Sequence, residues 1–243
     1  MKSVWIIDDD VFNKIKKIVD ENIDSEIAKE RINKNINKIG IDISKNNVWK
    51  VLIGCEITTQ QKSGKWSVTD KFLNSNSKLL DFDYCKKQDI SFISKELQTA
   101  GLRRYEKISE WLIQIIQEWE SGEWESGEWD ILLDKLSSIN KNHTKDDEKE
   151  VISYLMSGKY KGLGLKQSRN FLQWLGLSEY EIPIDSRARK VLKDCGCNFV
   201  PGVSALQDKV TYEYLEKGMQ LVSERLNIKP CILDACFFAS LEN

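Results

Sequence analysis

Apolar residues recur three or four apart along most of this chain, and that period allows few architectures other than packed helices. Val48, Leu52 and Cys55 form one such stripe, and Tyr105, Ile108, Leu112 and Ile115 form another. Leu215, Met219, Val222 and Leu226 make a third, which stops before Pro230. A shorter helical segment is expected from Ser67 to Leu73, and Thr144 stands where a helix N-cap belongs. Strand-like alternation is scarce. Ser3 to Ile7 is the one candidate for a short strand, ahead of the Asp8-Asp9-Asp10 turn. The expectation is an all-α protein of many short helices.

The chain is long enough, at 243 residues, for one large domain or two small ones with a real core. Its 36 basic and 38 acidic residues balance, so total charge gives no hint of a nucleic-acid partner. The distribution says more. Gly158 to Lys193 holds eight Lys/Arg against three Asp/Glu, whereas Glu118 to Glu150 holds eleven acids against four Lys. Only the first segment has the local surplus that phosphate contacts need. The cysteines at 55, 85, 195, 197, 231 and 236 follow neither a zinc nor a disulfide spacing, so free thiols and no metal are expected. No leader and no membrane-length apolar run is evident, which points to a cytoplasmic protein with no membrane partner.

A tandem Glu-Ser-Gly-Glu-Trp unit occupies residues 118–129. A period of five fits neither a helix face nor a strand, so a loop or irregular helix extension is expected, away from any anionic ligand. Asn140 to Asp147 reads as a polar linker, with the single histidine, His143, in it.

The chemistry concentrates later. Gly162-Leu163-Gly164 precedes a helix that carries Lys166 in its first turn, and Asp185 follows nineteen residues on, within Ile182-Pro183-Ile184-Asp185. Two glycines allow a close approach of backbone to an anion, and exposed N–H groups there bind phosphate. A lysine at the positive end of a helix is expected to lose its proton more easily, as a nucleophilic amine must. Asp185, just ahead of the next helix, is by contrast favoured as a carboxylate.

This spacing, and the Pro-Ile-Asp context, resembles the helix-hairpin-helix DNA glycosylases, and within them the archaeal and bacterial 8-oxoguanine glycosylase/lyases. Leu52 to Gln61 is similar to that family's helix ending in a Gln/Asn-rich loop, Gly101 to Ile108 to its glycine-led helix start, and Leu233 to Phe238 to its C-terminal Leu-Asp-x-x-x-aromatic segment. The resemblance implies a two-lobed helical fold with the active site in the cleft between lobes. Residues 1–44 with 195–243 would make one lobe. Residues 45–194 would make the other, with the hairpin at 158–177.

It further implies a base-excision repair enzyme that nicks DNA through a Schiff base at Lys166, assisted by Asp185, without a cofactor and as a monomer. Duplex DNA bearing a damaged base would be held by Gly162, Gly164, Lys159, Lys161, Arg169 and Arg187. Gln60 or Gln61 would fill the gap left by the flipped base, and Asp234 and Phe238 would recognise it. Two departures stand out. Lys161 replaces the usual hairpin proline, and Asn170 falls where eukaryotic relatives place a base-contacting cysteine. Excision of another modified base, including one in phage DNA, and a non-catalytic hairpin module both stay open.

Overall fold

The computed structural model describes residues 5, 7–61, 64–121, 127–141 and 143–242. In chain order its α-helices are α1 (Asp9–Asn22), α2 (Glu26–Arg31), α3 (Lys45–Ile57), α4 (Val68–Leu73), α5 (Phe82–Cys85), α6 (Ile90–Thr99), α7 (Tyr105–Glu120), α8 (Glu128–Lys141), α9 (Lys145–Leu155), α10 (Leu165–Leu175), α11 (Ser186–Asp194), α12 (Lys209–Leu226) and α13 (Pro230–Ala239). No strand occurs among the described residues. Of the expected N-terminal strand, Ser3, Val4 and Ile6 lie outside them, while Trp5 and Ile7 are irregular. No helix among the described residues is long and apolar enough to cross a membrane.

Side chains in the sequence set the helix ends. Ser44 starts α3, Ser67 starts α4, and Thr144 forms a reciprocal capping box with Asp147 at α9, so the expected cap is in place. α12 stops at Asn227, whose φ of 55° is left-handed, and Pro230 opens α13, where its missing N–H costs nothing. In the tandem repeat, Glu118 to Glu120 belong to α7 and Glu128 and Trp129 to α8. Trp119 packs on Trp129 with ring centroids 4.9 Å apart; residues 122–126 lie outside the described residues.

The chain divides into two compact units, 1–41 with 176–243, and 42–175. In the first, α13 is the centre. Cys231, Ile232, Leu233, Ala235, Cys236 and Phe237 are all buried, as befits a helix apolar on every side, and α1, α2, α11 and α12 pack around it. Residues 176–194, grouped with the central lobe on sequence grounds, belong here. The reason is visible at Tyr212 of α12, whose hydroxyl donates to the Ile182 carbonyl (2.8 Å) and accepts from the Ile184 N–H (2.7 Å). The buried Glu216 carboxylate accepts from the Ile182 N–H at 2.7 Å. These bonds pin the extended 182–184 run to α12 and so fix where α11 begins.

In the second unit, α3 is the core helix, with Val48, Trp49, Leu52, Ile53, Cys55 and Ile57 fully buried. Trp49 is wedged against Phe82 and Trp119, and its indole N–H donates to the Leu79 carbonyl at 2.9 Å. α10 lies along α3, and Gln167 laces the two together. Its amide donates to the Cys55 carbonyl at 2.6 Å and to the Thr59 hydroxyl at 2.8 Å.

Candidate functional site

In the second unit, the turn before α10 brings most of the sequence-nominated groups into one region. Gly162 has φ +90°, a value that L side chains avoid, and Leu163 and Gly164 complete the turn. Two of the amides expected to face an anion are used locally: the Leu163 N–H bonds to the Tyr160 carbonyl and the Gly164 N–H to the Gly162 carbonyl. Lys166 is the second residue of α10 and half-buried. Its positive charge reaches Cys55 on α3: burial pushes the Cys55 thiol well above its ordinary range, the neighbouring Glu56 pushes it further, and Lys166 opposes both.

The basic residues around the turn diverge in their surroundings. Lys161 is exposed. Lys159 is held by Glu128, which also accepts a hydrogen bond from the Tyr154 hydroxyl. Arg169 departs furthest from expectation, being 2% exposed with its guanidinium donating to the Leu165 carbonyl at 2.9 Å. That bond braces the first turn of α10. Asn170 is likewise buried and donates to Gln167 at 2.7 Å.

At the C-terminal end of α3 the two glutamines are not equivalent. Gln61 donates to the Ile57 carbonyl, and its own carbonyl accepts from the Arg103 N–H at 3.1 Å. Gln60 is exposed on a left-handed backbone, φ 60°. Of the pair, Gln60 is the one presented to solvent.

Sequence reasoning passed over the residue between these features. Glu56 is completely buried, and neither carboxyl oxygen has a hydrogen-bond partner. It lies directly under Gly162: a Cβ built there would fall 2.0 Å from Oε2 and 2.3 Å from Oε1. Burial holds its carboxyl well above the usual carboxylate range, with Arg104 pulling partway back. The signal was present as an acid in the last turn of an otherwise apolar, buried helix stretch.

In the first unit, Asp185 caps α11, accepting from the Arg187 N–H (2.7 Å) and the Ala188 N–H (3.1 Å). Its second oxygen takes the Arg187 Nε–H at 3.0 Å. The same guanidinium lies 4.0 Å from the centroid of the Phe238 ring, a cation–π contact. Arg187, nominated as a phosphate partner, thus joins Asp185 of α11 to Phe238 of α13. Asp234 lies one turn before Phe238, half-buried. Asp185, Arg187 and Phe238 therefore form one contiguous group, as a carboxylate, a cation and an aromatic face.

No protein-family model matches the sequence, and no curated protein matches it. Solved structures do. That of Methanocaldococcus jannaschii 8-oxoguanine glycosylase/lyase in complex with a 15mer DNA containing 8-oxoguanine aligns with a TM-score of 0.69 at 18% identity, covering 94% of this chain and 97% of that one. A second structure of the Methanocaldococcus jannaschii 8-oxoguanine DNA glycosylase gives 0.67 at 16%, over 96% and 94%. Tm1821, the 8-oxoguanine DNA glycosylase of Thermotoga maritima, gives 0.64 at 17%, over 96% and 97%. Nearly the full length of each chain is matched at an identity too low to carry more than architecture. The chain therefore has the helical fold of the archaeal and bacterial 8-oxoguanine DNA glycosylases.

Proposed function

We propose that this chain is a base-excision DNA glycosylase with β-lyase activity, acting on 8-oxoguanine or a related oxidised base in duplex DNA. The observation that carries the proposal is the coincidence of that fold with a lysine at the second position of α10, directly after the Gly162–Gly164 turn. Simple phosphate binding needs a turn and a positive helix end. It needs neither a half-buried amine there nor a carboxylate capping α11.

The chemistry follows from those groups. The Lys166 nitrogen, as neutral amine, bonds to C1′ of the extruded nucleotide while the C1′–N bond to the base breaks, its electron pair leaving with the base. The Asp185 carboxylate favours the positive charge that develops on the sugar. Opening of the sugar ring leaves a C1′ imine on Lys166. Loss of a C2′ proton then expels the 3′ phosphate and nicks the strand. Gln60 would occupy the vacated stack, and Lys161 and the hairpin turn would hold the backbone. The preference for 8-oxoguanine rests on the substrates named for the structural neighbours. A panel of duplexes, each with one modified base, assigns the target.

Borohydride reduction tests the reading. A covalent protein–DNA adduct is expected with the wild-type chain and none with Lys166→Gln, whereas an adduct that persists in Lys166→Gln would assign the chemistry to another amine. Asp185→Asn is expected to bind DNA normally and to excise slowly.

A further inference from the structure

The tandem repeat takes no part in the chemistry above, yet both of its ends reach the hairpin. Glu118 and Trp119 lie in the last turn of α7, Glu128 and Trp129 in the first turn of α8. The Trp119 indole N–H donates to the Tyr160 hydroxyl at 3.3 Å. Glu128, 5% exposed, accepts from the Lys159 ammonium with one carboxylate oxygen and from the Tyr154 hydroxyl with the other. An acidic segment expected to lie away from any anionic ligand therefore props the approach to the turn.

These ties act close to the turn itself. Tyr160 is 2% exposed, and its carbonyl accepts the Leu163 N–H at 3.2 Å. Gly158 precedes Lys159 with φ +101°, and Gly162 has φ +90°. Backbone flanked by two such glycines has little stiffness of its own. Its course is set by what holds Lys159 and Tyr160.

Glu128 is poorly explained as a stabilising residue. Enclosing a carboxylate is costly, and an ion pair in that setting often contributes no more than apolar residues of the same volume. What such a pair supplies is a fixed geometry. Tyr154, in the last turn of α9, holds the second oxygen, so the carboxylate stays in place and Lys159 comes to it. The lysine does so with its side chain still 46% exposed. An ammonium has three donors, so one N–H can meet Glu128 while another faces outward.

We propose that Glu128 is a positioning residue for DNA: through Lys159 it holds residues 159–164 in the form that receives a backbone phosphate. This role rests on the DNA-binding part of the glycosylase reading and gives the ends of the repeat a purpose in it. Its sign is opposite to that of bulk charge. Removing an acid near the phosphates ordinarily strengthens binding, whereas loss of Glu128 weakens it.

The test compares wild type, Glu128→Gln, Lys159→Met, the double variant and Glu150→Gln. Glu150 accepts from Lys135 at 2.7 Å with a side chain 70% exposed, so its variant makes the same change of charge away from Lys159. Equilibrium binding to a duplex carrying 8-oxoguanine is measured beside single-turnover excision at saturating protein. Glu128→Gln is expected to raise Kd about tenfold and to leave saturated excision within about threefold of wild type. Lys159→Met should raise Kd by a similar factor, and adding Glu128→Gln to it should cost less than about twofold more. Glu150→Gln should bind as wild type or more tightly. Lys159 is a partly exposed side chain, so its variant folds and tests the proposal even if Glu128→Gln does not. Wild-type or tighter binding by Glu128→Gln or Lys159→Met, fully additive losses in the double variant, or saturated excision falling with binding overturns the proposal. A wild-type chain that binds the duplex but releases no base overturns the excision reading alone, and one that binds no duplex overturns both.

Discussion

Gly162→Ala offers the sharpest physical test of how the hairpin is built. The substitution adds one carbon at φ +90°, where an L residue costs about 1–2 kcal/mol. That carbon would also sit 2.0, 2.3 and 2.4 Å from Oε2, Oε1 and Cδ of Glu56. Glu56 is fully enclosed and cannot swing into solvent, so the overlap must be relieved by shifting α3 or the turn, at about 1–3 kcal/mol. The expected loss is therefore about 2–5 kcal/mol, read by equilibrium urea unfolding with tryptophan fluorescence. The two contributions separate in a double-mutant cycle with Glu56→Ala. Removing the carboxyl abolishes the overlap and leaves the backbone strain, so the pair should couple by about 1–3 kcal/mol. Penalties that add to within ~0.5 kcal/mol would refute the idea that the glycine is required by the carboxyl beneath it.

The same contacts support further expectations. Asp185→Ala should lose about 1 kcal/mol with the α11 cap, while Asp185→Asn, which can still accept from the Arg187 and Ala188 amides, should unfold near the wild-type midpoint and lose only excision. Because the folded chain holds Glu56 above its ordinary value of 4.5, that residue's contribution is most favourable below pH 4.5 and declines as pH rises toward its folded pKa. Glu56→Leu removes an unpartnered buried acid, so its stability advantage over wild type should grow with pH across that window, and an advantage that shrinks would contradict the raised pKa. Burial raises the thiols of Cys85 and Cys236 to about 12 and of Cys195 to about 11, so native protein at pH 8 should alkylate at none of the three before it unfolds, as peptide mapping would show. Lys161→Ala should reduce the salt slope of DNA binding by about one unit, whereas Arg169→Met should leave that slope alone and alter stability.

Much of the helical framework was legible because it is local. The stripes on α3, α7 and α12, the Thr144 cap and the Asp185 cap all depend on residues within one or two turns, and each is present. The features that escaped depend on distant partners. Lys159 pairs with Glu128 across 31 residues of chain, and nothing in the sequence around either announces the other. Arg169 sits in a polar run, Gln167 to Asn170, that reads as a solvent face, yet all four are buried. Local charge cannot tell a braced guanidinium from an exposed one. Gln60 and Gln61 are identical as letters, and only the Arg103 amide, brought from 42 residues away, separates them. The placement of 176–194 turns on Tyr212 and Glu216, which lie further along the chain and could be tied to those residues only in three dimensions.

The discontinuity of the first unit has a consequence for biogenesis. Residues 42–175 are contiguous, so that unit can be completed while the ribosome is still translating residues 176–243. Residues 1–41 precede that unit in the chain yet must wait for 176–243, since α1 and α2 pack against α13. The nascent N-terminal helices therefore spend the whole interval with their apolar sides uncovered, and nascent-chain proteolysis should find them the last segment to gain protection.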